Sequence, residues 1–477
     1  MTTSFVEPVV SIKFEISSAA LSEKELHLVF KTSPDKPALG EAGAKAGATT
    51  LIDPSTVLVS LGKAGKLSPE SFRQAGGGLA KWIAQNQVVR IHLDVASLNS
   101  LGIAGDVPAL LEGLLLGSFR FDRYKKADEI PVCVVVLHSQ QAAVLEKIVE
   151  RSEKMCAAVN MARDWEHEPA NVIDPITLAE RAQALASQYG LRCTVLDDQQ
   201  LESMGAGAIV AVGRGSATPA RLIILEYAGN NPPAGAKPVV LVGKALTFDS
   251  GGYSLKDREN ILTMKYDKCG GVDVIATLRA AAELKIQTPI VGVIGAAENM
   301  VSGDAYLPDD ILVSLSGKTI EIISTDAEGR LVLADSLTYA QQKFQPRAII
   351  DLATLTGGVV MSLGHNRAGL MGNDDQLAQQ LFNAGEQTYE RLWRFPLDDE
   401  YADLLKGDDA DIKNSGGREA HAIQGGMFLK EFIVAGNPWA HLDIAGTADT
   451  AKELPYCPKG ATGFGIRLLI QYLENLD

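Results

Sequence analysis

Five apolar runs recur in the chain beyond about residue 170: "ARLIILEY", "PVVLVG", "TPIVGVIGA", "RAIIDLA" and "WAHLDIAG". A helix-like segment, "PITLAERAQALASQYG", precedes them, and helical segments lie between most of them. Strands that read as continuous apolar runs, without alternating polar positions, belong to sheets covered on both faces. Alternation of such strands with helices implies an α/β architecture with a central sheet between helical layers. In those sheets ligands bind where strands end and loops begin.

Residues 1 to about 130 and just beyond repeat the theme on a smaller scale. "SIKFEI", "ELHLVF", "VLVSLG", "VRIHLDV" and "VCVVVL" read as short strands, and "SFRQAGGGLAKWIAQ" as a helix. From Ser139 to about Asp164 the spacing of Val144, Ile148, Val149 and Cys156 predicts one long helix, a natural inter-domain connector. The expected organisation is an N-terminal α/β domain with connecting helix (1–160) and a larger catalytic domain (161–477). A chain of 477 residues is long enough for two full cores. "VGRGS" at 212–216 lacks the third glycine of a nucleotide-binding loop and reads as a tight turn.

Charge and cysteine usage narrow the function classes. A net charge of -15 argues against a nucleic-acid surface, which draws on clustered Lys and Arg. The five cysteines are scattered and never spaced as CxxC, so neither a disulfide framework nor a thiolate zinc site is indicated. A reducing cytoplasm fits best. No export signal is expected, because "MTTSFVEPVVSIKFEIS" has no basic segment leading into an apolar stretch, and no membrane span, because no run of about 18 uncharged apolar residues occurs.

Two dense polar stretches interrupt the apolar pattern. "STDAEGRL" (324–331) sets Asp326, Glu328 and Arg330 within five positions between isoleucine-rich and leucine-rich segments. "LVGKALTFDSGGYSLKDRENILTMKYDKCGG" (241–271) follows a strand expected to end near Val242 and carries Lys244, Asp249, Lys256 and Asp267. Taken singly, each of these residues reads as part of a solvated loop with weak ion pairs. Together, four carboxylates in a dry pocket repel one another unless some are protonated or share divalent metals. A two-metal site with bridging carboxylates resolves the conflict. None of the seven histidines forms HExxH or lies in either stretch, and each reads as a packing or surface residue. The site is then oxygen-rich, with Lys244 as a nitrogen donor only if it is neutral.

These stretches resemble the leucyl aminopeptidase family of cytosolic metallopeptidases. "VGKALTFDSGGYSLK", "MKYD" and "STDAEGRLVLAD" are similar to its two metal-binding signatures, and "DLATLTGG", "ERLWRFPL", "DIKNSGGR", "WAHLDIAGTA" and "GATGFGIRLL" extend the likeness over most of 160–477. The resemblance implies that Lys244, Asp249, Asp267 and Glu328 hold a tighter metal, and that Asp249, Asp326 and Glu328 hold a more exchangeable one. It implies Lys256 as the group that stabilises the oxyanion, and Arg330 as the holder of a bicarbonate that serves as general base. Manganese or zinc, with magnesium or cobalt as further options, would be the metals. Peptides with a free N-terminus would be the substrates, and Met264, Thr354, Gly357 and Ala445 would line a pocket for leucine-like side chains. A homohexamer in the cytoplasm is also implied, while the charge balance and the lack of a long apolar run argue against nucleic-acid and membrane partners.

The chain departs from the family pattern at Lys268, where Met is usual, at Cys269 and the following "GGVD", and at Ser324, Asp309 and "REAHAIQGG". On a helix, Lys268 would turn about 100 degrees away from Asp267. Three other readings stand beside the peptidase: a DNA-binding regulatory or accessory protein, a catalytically altered family member, and a two-metal phosphoesterase. The DNA-binding protein needs a basic groove, and the phosphoesterase usually recruits histidine.

Overall fold

The apolar runs become strands of two separate sheets. The computed structural model describes residues 11–22, 24–33, 45–126 and 130–477. They form two compact units: Met161–Asp449 with Ala461–Asp477, and the described residues before Met161 with Thr450–Gly460. The helix Ala142–His167 contributes residues to both.

The smaller unit is built on a six-stranded sheet. Its strands are β1 (Ile12–Ser17), β2 (His27–Ser33), β3 (Thr49–Asp53), β4 (Thr56–Lys63), β5 (Arg90–Asp94) and β6 (Cys133–His138). They lie in the order β1-β6-β5-β2-β4-β3. Only the pairing of β3 with β4 is antiparallel. The helix Pro69–Gln85 starts from Ser68 with a reciprocal capping box and Pro69 in its first turn, where a missing N–H costs nothing. Thr450–Gly460 joins this unit by direct contacts. Lys81 Nζ donates to Leu454 O at 2.7 Å and pairs with Glu453 at 2.9 Å, and Tyr456 Oη donates to Glu70 at 3.3 Å.

The larger unit has an eight-stranded sheet. In chain order its strands are β7 (Arg192–Leu196), β8 (Arg221–Tyr227), β9 (Val239–Asp249) and β10 (Ile290–Asn299). The short β11 (Ile311–Val313) and β12 (Thr319–Glu321) stand apart, followed by β13 (Ala348–Ala353), β14 (Ala368–Gly372), β15 (Leu392–Arg394), the short β16 (Ile412–Lys413) and β17 (Trp439–Asp443). The sheet order is β15-β14-β17-β13-β9-β10-β8-β7, and β11-β12-β16 form a small separate sheet. Parallel pairing joins β17, β13, β9 and β10, whereas β8, β7 and β14 run antiparallel to a neighbour. The sheet is therefore mixed. Gly292 and Gly295 show both faces covered: a Cβ on the first would meet Val274 and Leu278 of the helix Cys269–Leu284, and on the second Val332 and Ser336 of the helix Gly329–Lys343. Their odd spacing points them to opposite faces.

One boundary differs from the sequence reading in a way that matters for the site. β9 does not stop near Val242 but continues to Asp249, because β10 pairs with it as far as Asn299 opposite Asp249. Lys244 thus sits within a central strand. "VGRGS" closes the helix Gly207–Gly213 and turns at Arg214. Among the described residues no helix is long and apolar enough to cross a membrane.

Candidate active site

Four segments converge at the ends of the parallel strands. β9 supplies Lys244 and Asp249, and the turn after it carries Lys256. A short 3-10 helix, Met264–Lys268, presents Asp267. The loop before the helix Gly329–Lys343 carries Asp326 and Glu328, and the first turn of that helix carries Arg330. "SGG" makes the turn at the end of β9: Gly251 and Gly252 have φ of +85° and +62°, a region costly for residues with a Cβ. The two dense stretches are stitched together by Thr325. Its hydroxyl donates to Gly251 O at 2.6 Å and accepts the Ser254 N–H at 2.7 Å, and its own N–H donates to Ser254 Oγ at 3.1 Å.

The charges alternate in space. Lys244 Nζ lies 2.9 Å from both Asp267 Oδ1 and Glu328 Oε1, and donates to Thr354 O at 2.9 Å. Lys256 Nζ is 2.7 Å from Asp249 Oδ2 and also contacts Asp326. Asp249 Oδ1 accepts from Gly251 N at 2.9 Å and from Asn299 Nδ2 at 2.8 Å. Asp249, Asp326 and Glu328 each offer a carboxylate oxygen within 4.8 Å of the other two, a spacing that suits a cation. Asp267 Oδ2 and Asn299 Oδ1 are buried without a protein partner.

Burial and crowding leave their mark on ionisation. Glu328 is pushed up to about 8 by burial, with Asp249 adding repulsion against the pull of Lys244. Burial likewise raises Asp267 to about 6 and raises Asp326. For Lys244 burial acts downward, but Asp267, Glu328 and Asp249 outweigh it and hold the ammonium above the usual lysine range. Lys256 behaves in the same way, through Asp249 and then Glu328. With protein groups alone, the two ammonium ions act as the counter-charges of the carboxylates. Arg330 is fully buried and pulled down to about 10 by that burial. It donates to Asn414 O at 2.7 Å, while its Nε lacks a protein acceptor.

The description "Cytosol aminopeptidase family, catalytic domain" matches residues 160–470, and that family's N-terminal domain matches 39–128. The chain belongs to the cytosol aminopeptidase family. It is accordingly a hydrolase of the peptidase class. A probable cytosol aminopeptidase of a Geobacter species is 44% identical over 451 residues, covering 91% of this chain and 90% of that protein. One from Syntrophotalea carbinolica is 46% identical, covering 88% and 85% respectively. Among solved structures, the bottromycin maturation enzyme BotP aligns with a TM-score of 0.84 at 33% identity, over 95% of this chain and 99% of that one. The same enzyme in complex with Mn aligns at 0.85 and 33%, over 95% and 100%.

Within this family fold, Asp443 binds Ala445 and, through Leu355 and Thr356, the segment that carries Thr354 and Gly357, three of the four residues expected at the pocket. Its carboxylate accepts Thr356 Oγ1 at 2.6 Å, Leu355 N at 3.1 Å and Ala445 N at 3.2 Å, joining the Thr354–Gly357 segment to Ala445. Thr354 Oγ1 donates to Asp267 Oδ1 at 2.6 Å. A Cβ placed on Gly357 would meet open space. Met264 opens the 3-10 helix that carries Asp267.

Thr325, Asn414 and Asp443 lie inside motifs that stand out in the sequence, and Asn299 lies three residues beyond "TPIVGVIGA", yet the sequence alone gives none of them a role. Each is a short polar residue that the fold buries completely or nearly so, and such a residue amid an apolar run, as in "WAHLDIAG", was the available signal. Lys268 does turn from the carboxylate cluster. Its buried ammonium donates to the carbonyls of Glu166, Glu168 and Lys265 at 2.9, 2.9 and 2.5 Å.

Proposed function

We propose that this protein is a two-metal aminopeptidase that removes N-terminal residues, leucine-like ones by preference, from peptides. The observation that carries the reading is the convergence of the buried Asp249, Asp267 and Glu328 with the more exposed Asp326 around two lysines, where Asp267 Oδ2 and Asn299 Oδ1 lack a protein partner. The donor set fits divalent metals: it is rich in carboxylate oxygen, its anions are crowded, and protons or ammonium groups take up the charge in their place. Lys244, Asp249, Asp267 and Glu328 would hold one ion, and Asp249, Asp326 and Glu328 the other, manganese or zinc first, then magnesium or cobalt. Such a pair lowers the pKa of a bound water and polarises a carbonyl.

The chain's own residues supply the rest. Lys256 keeps an ammonium at the cluster's edge, its side chain 14% exposed, where it donates to an oxyanion as charge develops. Arg330 lies at the start of a helix whose N-terminal dipole favours an anion, and its Nε–H is the donor assigned to bicarbonate. Met264, Thr354, Gly357 and Ala445 would bound the side-chain pocket. Residues 161–477 would be the catalytic domain and 1–160 the accessory one, in a cytoplasmic homohexamer whose mass light scattering would test.

The deciding experiment compares leucine p-nitroanilide with its Nα-acetylated analogue, using metal-stripped protein resupplied with Mn, Co or Zn. Cleavage restored by metal, and only for the free amine, is expected. Full activity without metal would defeat the reading.

A further inference from the structure

We propose that Glu25, His92 and His138 form a binding site for a zinc-class divalent cation, built wholly within the smaller unit. Read from the sequence, each histidine is a packing or surface residue, and their placement gives them a second role. In the parallel β5/β6 ladder His92 lies opposite Val136 and Asp94 opposite His138. A two-residue offset keeps both imidazoles on one face. Both are buried, and Glu25, just before β2, closes the group with a side chain 44% exposed. One ligand atom from each of the three lies within 4.8 Å of the others.

Proton counting shows why a cation belongs there. His138 Nδ1 is 2.8 Å from Ala19 O, so that nitrogen carries the hydrogen and a neutral ring keeps a bare lone pair on Nε2. His92 Nδ1 is 2.9 Å from that lone pair, and His92 Nε2 is 3.6 Å from Glu25 Oε1. Glu25 Oε2 is held in turn by the Ser22 N–H at 3.3 Å. A neutral His92 has one N–H for two acceptors. Whichever acceptor it serves, a lone pair faces a second lone pair or a carboxylate. An added proton would satisfy both acceptors but would bury an imidazolium. A divalent cation satisfies all three groups and balances the carboxylate.

The donor set decides the class of ion. Two imidazoles and one carboxylate with an open side suit zinc, whereas oxygen-only sites serve manganese or magnesium. His138 already has the arrangement of a ligating histidine, its far N–H fixed by a backbone carbonyl. Zinc–nitrogen bonds of about 2.0–2.1 Å at a tetrahedral angle place two nitrogens roughly 3.4 Å apart, so the pair opens by about half an ångström on binding.

The test counts zinc bound per full-length chain, by elemental analysis after chelator treatment, zinc addition and desalting. Wild type, His138→Gln and Glu25→Gln are compared. Wild type should retain one equivalent more than His138→Gln, and Glu25→Gln should hold that equivalent at least tenfold more weakly. Ions at the carboxylate cluster cancel in the subtraction, and peptide hydrolysis should be unchanged in both variants. Because Glu25 is exposed, its variant decides the matter if His138→Gln does not fold. Equal zinc retention by wild type and a folded variant would overturn the proposal and leave a proton-sharing histidine pair. The count is readable whether or not the protein cleaves peptides.

Discussion

Gly329→Ala separates the geometry of the site from the stability of the fold. Gly329 is the first residue of its helix, and its φ lies outside the left-handed region, so alanine is allowed there. Helix propensity alone would favour the substitution by up to about 1 kcal/mol. The added Cβ, however, would lie 2.6 Å from both Cε and Nζ of Lys244 and 2.8 Å from its Cδ. The obstructing atoms are the end of a flexible side chain, so the backbone stays and the lysine moves. Restoring ordinary contact displaces Nζ by about 1 Å, which breaks one or more of its three 2.9 Å interactions with Asp267, Glu328 and Thr354. A misplacement of that size costs about 100-fold in rate. The predicted outcome is a protein whose free energy of chemical unfolding changes by less than about 1 kcal/mol while kcat/KM on leucine p-nitroanilide falls about 100-fold. Wild-type kcat/KM, or a stability loss of several kcal/mol tracking the loss of activity, would refute the reasoning.

Three further substitutions probe other parts of the larger unit. Asp335→Ala strips the partner from the Ala208, Ile209 and Leu315 N–H groups, now 3.0, 2.9 and 2.7 Å from its carboxylate, and should cost about 3 kcal/mol in urea unfolding. A loss under about 1 kcal/mol would contradict this. Lys268→Met leaves three buried carbonyls without their ammonium; it should destabilise by about 3 kcal/mol yet keep the same metal content per folded chain. Metal loss at unchanged stability would place Lys268 in the site after all. Asp443→Asn exchanges one acceptor oxygen for a donor and should raise KM for leucine substrates about tenfold more than for alanine ones, since the link from Leu355 and Thr356 to Ala445 loosens. Equal effects on both substrates would argue against a pocket role.

The fold class was legible because its signal is local. "PVVLVG" and "TPIVGVIGA" announce doubly covered strands wherever they pair. The extension of β9 to Asp249 was not legible, because "KALTFD" has no continuous apolar run and is held by pairing with β10. Asp249, Asp267, Asp326 and Glu328 stood out as charges amid apolar sequence. Asp443 and Asn414 did not, because their value lies in backbone groups brought near by distant segments. The histidine pair was hidden for the same reason: His92 and His138 are 46 residues apart and meet only through strand register.

The contribution of Thr450–Gly460 to the smaller unit sets a timetable for biosynthesis. Lys81 and Glu70 wait for partners at Leu454, Glu453 and Tyr456 that leave the ribosome after almost all of the larger unit. At about 5–20 residues per second, the roughly 290 residues between Asn160 and Thr450 take about 15–60 s to synthesise. During that interval the nascent smaller unit has its sheet but lacks the segment that covers the helix Pro69–Gln85. Protease sensitivity around Lys81 in ribosome-bound chains arrested near residue 400, lost in chains released at full length, would record the wait. Equal protection in both would show that the early unit closes without its late segment.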